Sequence, residues 1–170
     1  MRVLVTAASR HGATAEIATM IGQALTEAGL EAEIKPIAAL DGVAGYSAVV
    51  LGSGVYVGHW LPEATAFVER HVSELGARPV WLFSSGPTGE ADPTPEHDPV
   101  GIADLAASIH ARGHRVFPGR LEQGRLGFME RFMIRAVHAP MGDFRDPSEI
   151  AAWAREIAAE LDLVALAVAG

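Results

Sequence analysis

The sequence predicts an α/β fold: a doubly wound parallel sheet of five strands in the order 2-1-3-4-5, with helices on both faces. Strand and helix patterns alternate at the spacing of βαβ units along the 170 residues, which is typical of a parallel sheet. The segments 48–52 and 79–83 are apolar almost throughout, as expected for strands covered on both faces. We therefore expect one domain over residues 1–170, with an inserted segment at about 122–146 between the last strand and the last helix.

The predicted elements are bounded by recognisable signals. Gly29 ends the first helix, Pro62 begins the second, and Ser148 caps the last. The second strand alternates polar and apolar residues and contains Pro36, which favours the edge of the sheet. In chain order the expected elements are strand 2–7, helix 13–28, strand 31–37, strand 48–52, helix 61–75, strand 79–83, helix 101–112, strand 114–121 and helix 148–161.

The composition excludes several classes of protein. The chain has no cysteine, which excludes disulfides, thiolate catalysis and iron–sulfur clusters. Its formal net charge of −8 argues against general binding of nucleic acid. No apolar run reaches the roughly 18–20 residues that span a bilayer, and the first residues do not form a secretory signal. These observations predict a cytoplasmic protein.

The first strand runs directly into the turn Ser9-Arg10-His11-Gly12-Ala13-Thr14, after which a helical pattern begins. Such a turn points backbone N–H groups and hydroxyls at one spot on the positive end of a helix, and this spot suits a phosphate. The turn is neither a Walker loop nor a G-x-G-x-x-G dinucleotide fingerprint. A plain strand–turn–helix corner, with Ser9 or Thr14 as its N-cap, would give the same pattern.

Two further loops have a similar small and hydrogen-bonding character. Ser53-Gly54-Val55-Tyr56-Val57-Gly58 follows the third strand, and Ser84-Ser85-Gly86-Pro87-Thr88-Gly89 follows the fourth. Because the ends of strands 1, 3 and 4 meet at one sheet edge, all three loops are expected to lie together. Tyr56 and Trp60 either stack on a flat ligand there or complete the core. A phosphorylated tricyclic cofactor fits these loops, and FMN is the leading candidate.

The same loops carry a family resemblance. Ser9 to Thr14 resembles the S/T-x-x-G-x-T phosphate loop of the flavodoxin superfamily. Other segments resemble, more narrowly, the flavodoxin-domain branch that contains the menaquinone-dependent protoporphyrinogen oxidases. They are Val49–Gly52 with Tyr56-x-Gly58-His59, Phe67–His71, Glu130–Arg135 and Trp153–Ile157. The resemblance covers nearly the whole chain.

The resemblance implies a flavodoxin-like oxidoreductase with FMN, linked to a quinone or to a porphyrinogen-like substrate. Residues Ser9 to Thr14 would hold the phosphate, and the segments 53–58 and 84–89 would flank the isoalloxazine ring. Because the flavin does the redox chemistry, no catalytic side chain is assigned. The histidines are scattered along the sequence and predict no metal site. Three alternatives keep the fold: a deazaflavin such as F420 in place of FMN, an FMN electron carrier that serves redox partners without a substrate of its own, and a cofactor-free interaction module.

The inserted segment contains an apolar stripe flanked by arginines. At helical spacing the stripe is Leu126, Met129, Met133 and Val137, and the flanking residues are Arg125, Arg131 and Arg135. A helix packed on the sheet edge would give this pattern. Alternatively, residues 121–137 meet the inner face of a membrane, a quinone, an anionic substrate, or another chain, such as a second copy in a homodimer.

Overall fold

Five parallel strands form the central sheet of the protein. The computed structural model describes residues 1–86, 98–121 and 142–169. Its strands are β1 (Arg2–Ala8), β2 (Glu31–Pro36), β3 (Ala48–Tyr56), β4 (His59–Trp60), β5 (Val80–Gly86), β6 (Gly113–Pro118), β7 (Arg120–Leu121) and β8 (Gly142–Asp143). Its helices are α1 (Ala13–Glu27), α2 (Pro62–Arg70), α3 (Val72–Gly76), α4 (Ile102–Ser108) and α5 (Pro147–Ala169), with a 3-10 turn at Ile37–Ala39.

The order of the parallel strands is β2-β1-β3-β5-β6, and the short β4 pairs with β3 in the antiparallel direction. Counted in chain order, the parallel strands follow 2-1-3-4-5, so the predicted α/β topology is confirmed. The chain first moves from β1 to one side and then returns to place β3 on the other side. This reversal makes the β1/β3 boundary the switch point, where ligands bind in doubly wound sheets.

Each face of the sheet is covered by its own apolar core. Side chains alternate along a strand, so Val3 and Val5 belong to one core and Leu4 belongs to the other. The first core packs α1 and α5 on the sheet through Ile17, Ile21, Leu25, Ile150, Trp153 and Ile157. The second core packs α2, α3 and α4 through Phe67, Val68, Leu75 and Ile102. Burial of side chains of this size stabilises the fold by about 1.5–3 kcal/mol each.

A glycine in β3 makes room for an aromatic ring from β5. Gly52 and Phe83 are register partners, and a Cβ atom at position 52 would overlap the Phe83 ring. That ring packs in turn against Phe117 and Trp153, at centroid distances of 6.3 and 6.4 Å. Gly52 is therefore required for the packing of the sheet against α5.

The structure corrects several predicted boundaries. The predicted helix 61–75 is two helices, because His71 has φ −113° and ψ 23° and leaves the helical region between them. The predicted helix 101–112 is shorter, ending at Ser108. The parallel part of the predicted strand 114–121 ends at Pro118, which has no N–H to continue the ladder. The last helix, predicted to end at Leu161, continues to Ala169.

An ion-pair cluster joins the first turn of α1 to the ribbon formed by β7 and β8. Glu16 accepts hydrogen bonds from Arg120 at 2.7 Å and from Arg145 at 2.6 Å, and Arg145 also donates to Asp143 at 2.7 Å. Only 6% of the Arg145 side chain and 13% of the Arg120 side chain are exposed. The Arg145 guanidinium lowers the pKa of Asp143 to about 2 and holds the pKa of Glu16 below its usual value. The cluster therefore anchors the ribbon of β7 and β8 to the start of α1.

We expect the Asp143→Asn variant to be less stable than the parent protein at about pH 7, with a difference that disappears only below about pH 2. Folding lowers the pKa of this carboxyl from 3.8 to about 2. Its stabilising effect is therefore complete above about pH 4 and is lost as the pH falls through about 2. Urea unfolding across this pH range measures the difference. Asp41→Asn, which removes an exposed carboxylate outside the cluster, is the control. A difference that stays constant with pH would contradict the ion pair.

Candidate functional site

Three loops begin side by side at the carboxyl edge of the sheet. Ala8 of β1 pairs with Ser53 of β3, and Ser53 pairs with Ser84 of β5. Because these pairs are in register, the carboxyl ends of the three strands lie at neighbouring positions. The predicted loops after β3 and β5 begin later than expected, because β3 continues to Tyr56 and β5 continues to Gly86, with Gly54 still paired to Ser85. The structure thus brings the predicted segments 9–14, 53–58 and 84–86 to one edge. The remaining predicted residues Pro87, Thr88 and Gly89 lie outside the described residues.

The first loop presents backbone N–H groups at the start of α1. The first bond within the helix runs from the Glu16 N–H to the Gly12 carbonyl at 3.0 Å. The N–H groups of Ala13, Thr14 and Ala15 therefore have no acceptor inside the helix. Gly12 has φ 89°, a conformation that favours glycine, and its own N–H donates to Ser9 Oγ at 3.1 Å. This arrangement is suited to an anion, since the donors and the positive end of the helix dipole coincide.

Thr14 connects the first loop to the second. Its side chain is buried, and a Cβ atom at Gly54 would lie 3.1 Å from Thr14 Oγ1. A side chain at position 54 would therefore press on this hydroxyl. Gly54 leaves the hydroxyl room between the end of β3 and the start of α1.

The second loop is a tight hairpin between β3 and β4. Val55 pairs with Trp60 and Tyr56 with His59, which leaves Val57 and Gly58 as a two-residue turn. Both have positive φ, 51° and 76°, as in a type I′ turn, although valine is unfavourable in this conformation. The Val100 N–H donates to the Gly58 carbonyl at 2.8 Å. The hairpin is therefore held from the side by the residues that precede α4.

Tyr56 lies on the hairpin, close to the first loop. Its side chain is half-buried, and the Arg10 guanidinium carbon is 4.6 Å from the centroid of its ring. This distance is typical of a cation–π contact. The predicted phosphate loop and the predicted ring loop therefore touch through these two side chains.

Of the two possibilities for Trp60, stacking on a ligand and completing the core, the structure shows the second. Trp60 is only 6% exposed and belongs to the core that covers α2. Its indole N–H donates to Ser84 Oγ at 2.7 Å. A buried indole with a partner for its N–H is satisfied inside the protein. Trp60 therefore fastens the hairpin to β5, and of the two aromatic residues only Tyr56 remains accessible to a ligand.

Ser84 links Trp60 to a partly buried histidine. Ser84 Oγ is 2.7 Å from His114 Nε2, and His114 Nδ1 is 3.4 Å from a carboxylate oxygen of Asp98. Burial lowers the pKa of His114 despite the nearby Asp98 charge, so the neutral ring can accept a hydrogen bond from the Ser84 hydroxyl. The order Ser–His–Asp is that of a hydrolase triad. However, Ser84 is fully buried and also accepts from Trp60, so the chain of contacts is structural.

Ser53 is also engaged within the protein. Its hydroxyl donates to the Gly54 carbonyl at 2.9 Å and accepts from the Leu61 N–H at 3.0 Å. Both predicted serine hydroxyls at the strand ends, Ser53 and Ser84, are thus used to hold the hairpin. A ligand at this edge would meet the backbone of these residues.

A cavity of about 380 Å³ lies on the other side of the first loop. It is lined by the ends of β1 and β2, by α1 and by Glu63 of α2, and it includes Ser9. Apart from Ser9, none of the described residues in the segments 9–14, 53–58 and 84–86 lines it. It is therefore separate from the junction of Arg10 and Tyr56.

Several residues near the site could not be found from sequence. The pairing of Glu16 with Arg120 and Arg145 spans more than a hundred positions, and the contact of Ser84 with His114 also joins distant segments. The six arginines between His110 and Arg135 are the one local signal, since such a cluster requires acidic partners. That signal does not say which carboxylates they are.

Among residues 1–86, 98–121 and 142–169, the structure contains no group of three or more side chains that could hold a metal ion. In the same part of the chain, no helix is long and apolar enough to cross a membrane. Of the inserted segment 122–146, the structure describes only residues 142–146, so the proposed contacts of residues 121–137 with a membrane or a second chain stay predictions.

Comparison with known sequences places the chain in a family. A sequence profile of the flavodoxin domain matches residues 4–148. The chain belongs to the flavodoxin-domain family. It is also 27% identical to the protoporphyrinogen IX dehydrogenase [quinone] of Escherichia coli strain K12, over 93% of this chain and 95% of that protein.

Solved structures of flavodoxins have the same fold. A flavodoxin from Pseudomonas aeruginosa superposes with a TM-score of 0.62 at 20% identity, covering 95% of this chain and 99% of that one. A flavodoxin from Streptococcus pneumoniae gives a TM-score of 0.61 at 16% identity, covering 94% and 99%. At these identities the structural similarity concerns the fold alone.

We expect Trp60→Phe to lower the free energy of unfolding by about 1–3 kcal/mol, because it removes a buried hydrogen bond to Ser84. Chemical denaturation of Trp60→Phe, Ser84→Ala and the double variant measures this effect. If the hydrogen bond accounts for the effect, the double variant loses less free energy of unfolding than the two single variants together. The exposed neighbour His59 supplies a control, His59→Ala. Unchanged stability of Trp60→Phe would contradict this role.

Proposed function

We propose that this flavodoxin-domain protein binds FMN at the carboxyl edge of its sheet and acts as an oxidoreductase. The observation that carries the proposal is the junction of the first and second loops. It joins the anion-binding start of α1 to the hairpin of Tyr56 through the contact of Arg10 with that ring. Membership of the flavodoxin-domain family supports the same reading.

The residues of the first loop fit a phosphate group. Three backbone N–H groups, of Ala13, Thr14 and Ala15, lack an acceptor within α1. Gly12 lets the backbone turn closely around an anion, and the Thr14 hydroxyl lies at the boundary with Gly54. Ser9 orders this turn by accepting the Gly12 N–H. Ser9 to Thr14 would therefore hold the phosphate of FMN.

The second loop fits a flat ring, because Tyr56 offers a half-buried aromatic surface there. The third loop is described only to Gly86, which is buried and accepts the Gly119 N–H through its carbonyl. The hairpin is already fixed by the Trp60 and Val100 hydrogen bonds, so its backbone is ordered before any ligand arrives. When bound, FMN supplies the acceptance and donation of electrons at its ring. This chain's own residues bind and orient the cofactor, and we assign none of them as an acid or base.

For the reaction, we propose oxidation of a porphyrinogen-like substrate with a quinone as electron acceptor. The support is the relative named protoporphyrinogen IX dehydrogenase [quinone], which aligns with 93% of this chain. An FMN electron carrier without its own substrate is the alternative. We propose FMN as the cofactor in preference to the deazaflavin F420, because the matching family and structures are flavodoxins. The visible absorption spectrum of the purified protein distinguishes the two cofactors.

We expect Thr14→Ala to weaken FMN binding by about 1.5–3 kcal/mol, more than tenfold in Kd, because it removes a hydroxyl donor to a charged phosphate. Fluorescence titration with FMN measures the affinity. Thr14→Ser keeps the hydroxyl and should retain most of it. Thr19→Ala lies further along the same helix, where its exposed hydroxyl donates to the Ala15 carbonyl at 3.0 Å, and should bind like the parent. Equal affinity of Thr14→Ala and the parent would place the phosphate elsewhere.

We expect the FMN-loaded protein to oxidise protoporphyrinogen IX with a soluble quinone as acceptor, at a rate that depends on both substrates. Anaerobic absorption spectroscopy follows reduction of the bound flavin by the porphyrinogen and its reoxidation by the quinone. The Thr14→Ala variant, assayed before FMN is added back, should lose activity in proportion to lost cofactor. A flavin that exchanges electrons with a redox protein but is not reduced by the porphyrinogen would favour the carrier.

A further inference from the structure

A permanent positive charge lies against the aromatic ring of the second loop. The Arg10 guanidinium carbon is 4.6 Å from the centre of the Tyr56 ring. The guanidinium group of arginine is cationic and planar. Arg10 is exposed and Tyr56 is half-buried at the end of β3. The charge thus stands at the boundary between the phosphate loop and the ring loop.

The positive charge of Arg10 is opposite in sign to the net charge of the chain. The sequence has 21 acidic residues, 13 lysines and arginines, and a formal net charge of −8. Negative surroundings disfavour any ligand that becomes more negative during its reaction. A cation placed beside the ring loop has the opposite local effect, which is strongest where burial reduces screening by solvent.

We propose that Arg10 sets the redox potential of the bound cofactor by stabilising the anionic reduced ring more than the neutral oxidised ring. The inference rests on the proposed binding of FMN by these loops. Oxidised FMN has an uncharged ring, and uptake of two electrons and one proton from a reductant leaves the ring with one negative charge. The affinity of the Arg10 charge for the ring therefore rises on reduction, which raises the midpoint potential.

This role differs measurably from binding the phosphate. The phosphate does not change when the ring is reduced, so a contact between Arg10 and the phosphate strengthens both redox states equally. Such a contact changes the affinity and leaves the potential unchanged. A contact with the ring changes the ratio of the two affinities, and a tenfold change in this ratio shifts a two-electron potential by about 30 mV.

The test is a reductive titration of the FMN-loaded protein against a reference dye, with dithionite as the reductant. We expect Arg10→Gln to weaken the binding of reduced FMN about fivefold to tenfold relative to oxidised FMN, which lowers the midpoint potential by about 20–30 mV. Arg10→Lys keeps the charge and should keep most of the potential. Arg70→Gln makes the same change in net charge at an exposed position at the far end of α2, and should leave the potential unchanged.

Riboflavin, which lacks the phosphate, separates the two roles further. With riboflavin in place of FMN, the potential difference between Arg10→Gln and the parent should persist. If Arg10→Gln weakens oxidised and reduced FMN equally, Arg10 is a phosphate ligand and the inference is overturned, while FMN binding stands. An equal shift in Arg70→Gln would show that net charge alone sets the potential, and would overturn it as well. Failure of the parent to bind FMN would overturn the proposed function itself.

Discussion

The register of three parallel strands determines where the candidate site can form. Ala8, Ser53 and Ser84 are paired across β1, β3 and β5, so the carboxyl ends of these strands lie side by side at one edge of the sheet. A slip of one residue in any pair would exchange the two faces of that strand and move its side chains into the wrong core. Core packing on both faces therefore fixes the position of the loops.

The hairpin shows how the core extends into the site. Trp60 is part of the apolar core, yet its N–H reaches Ser84, whose hydroxyl is also bonded to His114. Ser53 holds the start of α2 through the Leu61 N–H. These buried contacts leave Tyr56 as the accessible aromatic group of the hairpin. The part of the site that adjoins the core is thus held in place by buried hydrogen bonds.

Sequence reasoning was most reliable where one local pattern allows one structure. The apolar runs of β3 and β5 and the alternation in β2 predicted the sheet, because few other structures give these patterns. The three loops were found because serine and glycine clusters follow directly after predicted strands. In each case the signal lies within a few residues of the element it predicts.

Sequence-based prediction failed where the structure depends on contacts between residues far apart in the chain. The local sequence around a tryptophan beside a glycine-rich turn is the same whether its ring faces a ligand or the core. For Trp60, the hydrogen bond to Ser84 shows that the ring faces the core. The turn at Val57 has a positive φ that valine disfavours, so local preference predicts against it. The ion pair of Glu16 with Arg145 joins residues 129 positions apart, and no local pattern encodes it.

The packing of Gly52 against Phe83 constrains how the sequence can change over evolution. Because the Phe83 ring fills the space where a side chain at position 52 would lie, neither position can drift independently. If Gly52 is replaced by alanine first, the new methyl group overlaps the Phe83 ring. If Phe83 is replaced by a smaller residue first, a cavity opens beside Trp153 and remains until position 52 also changes. Each order of substitution passes through a less stable intermediate, so descendants of this sequence should either retain both residues or have replaced both.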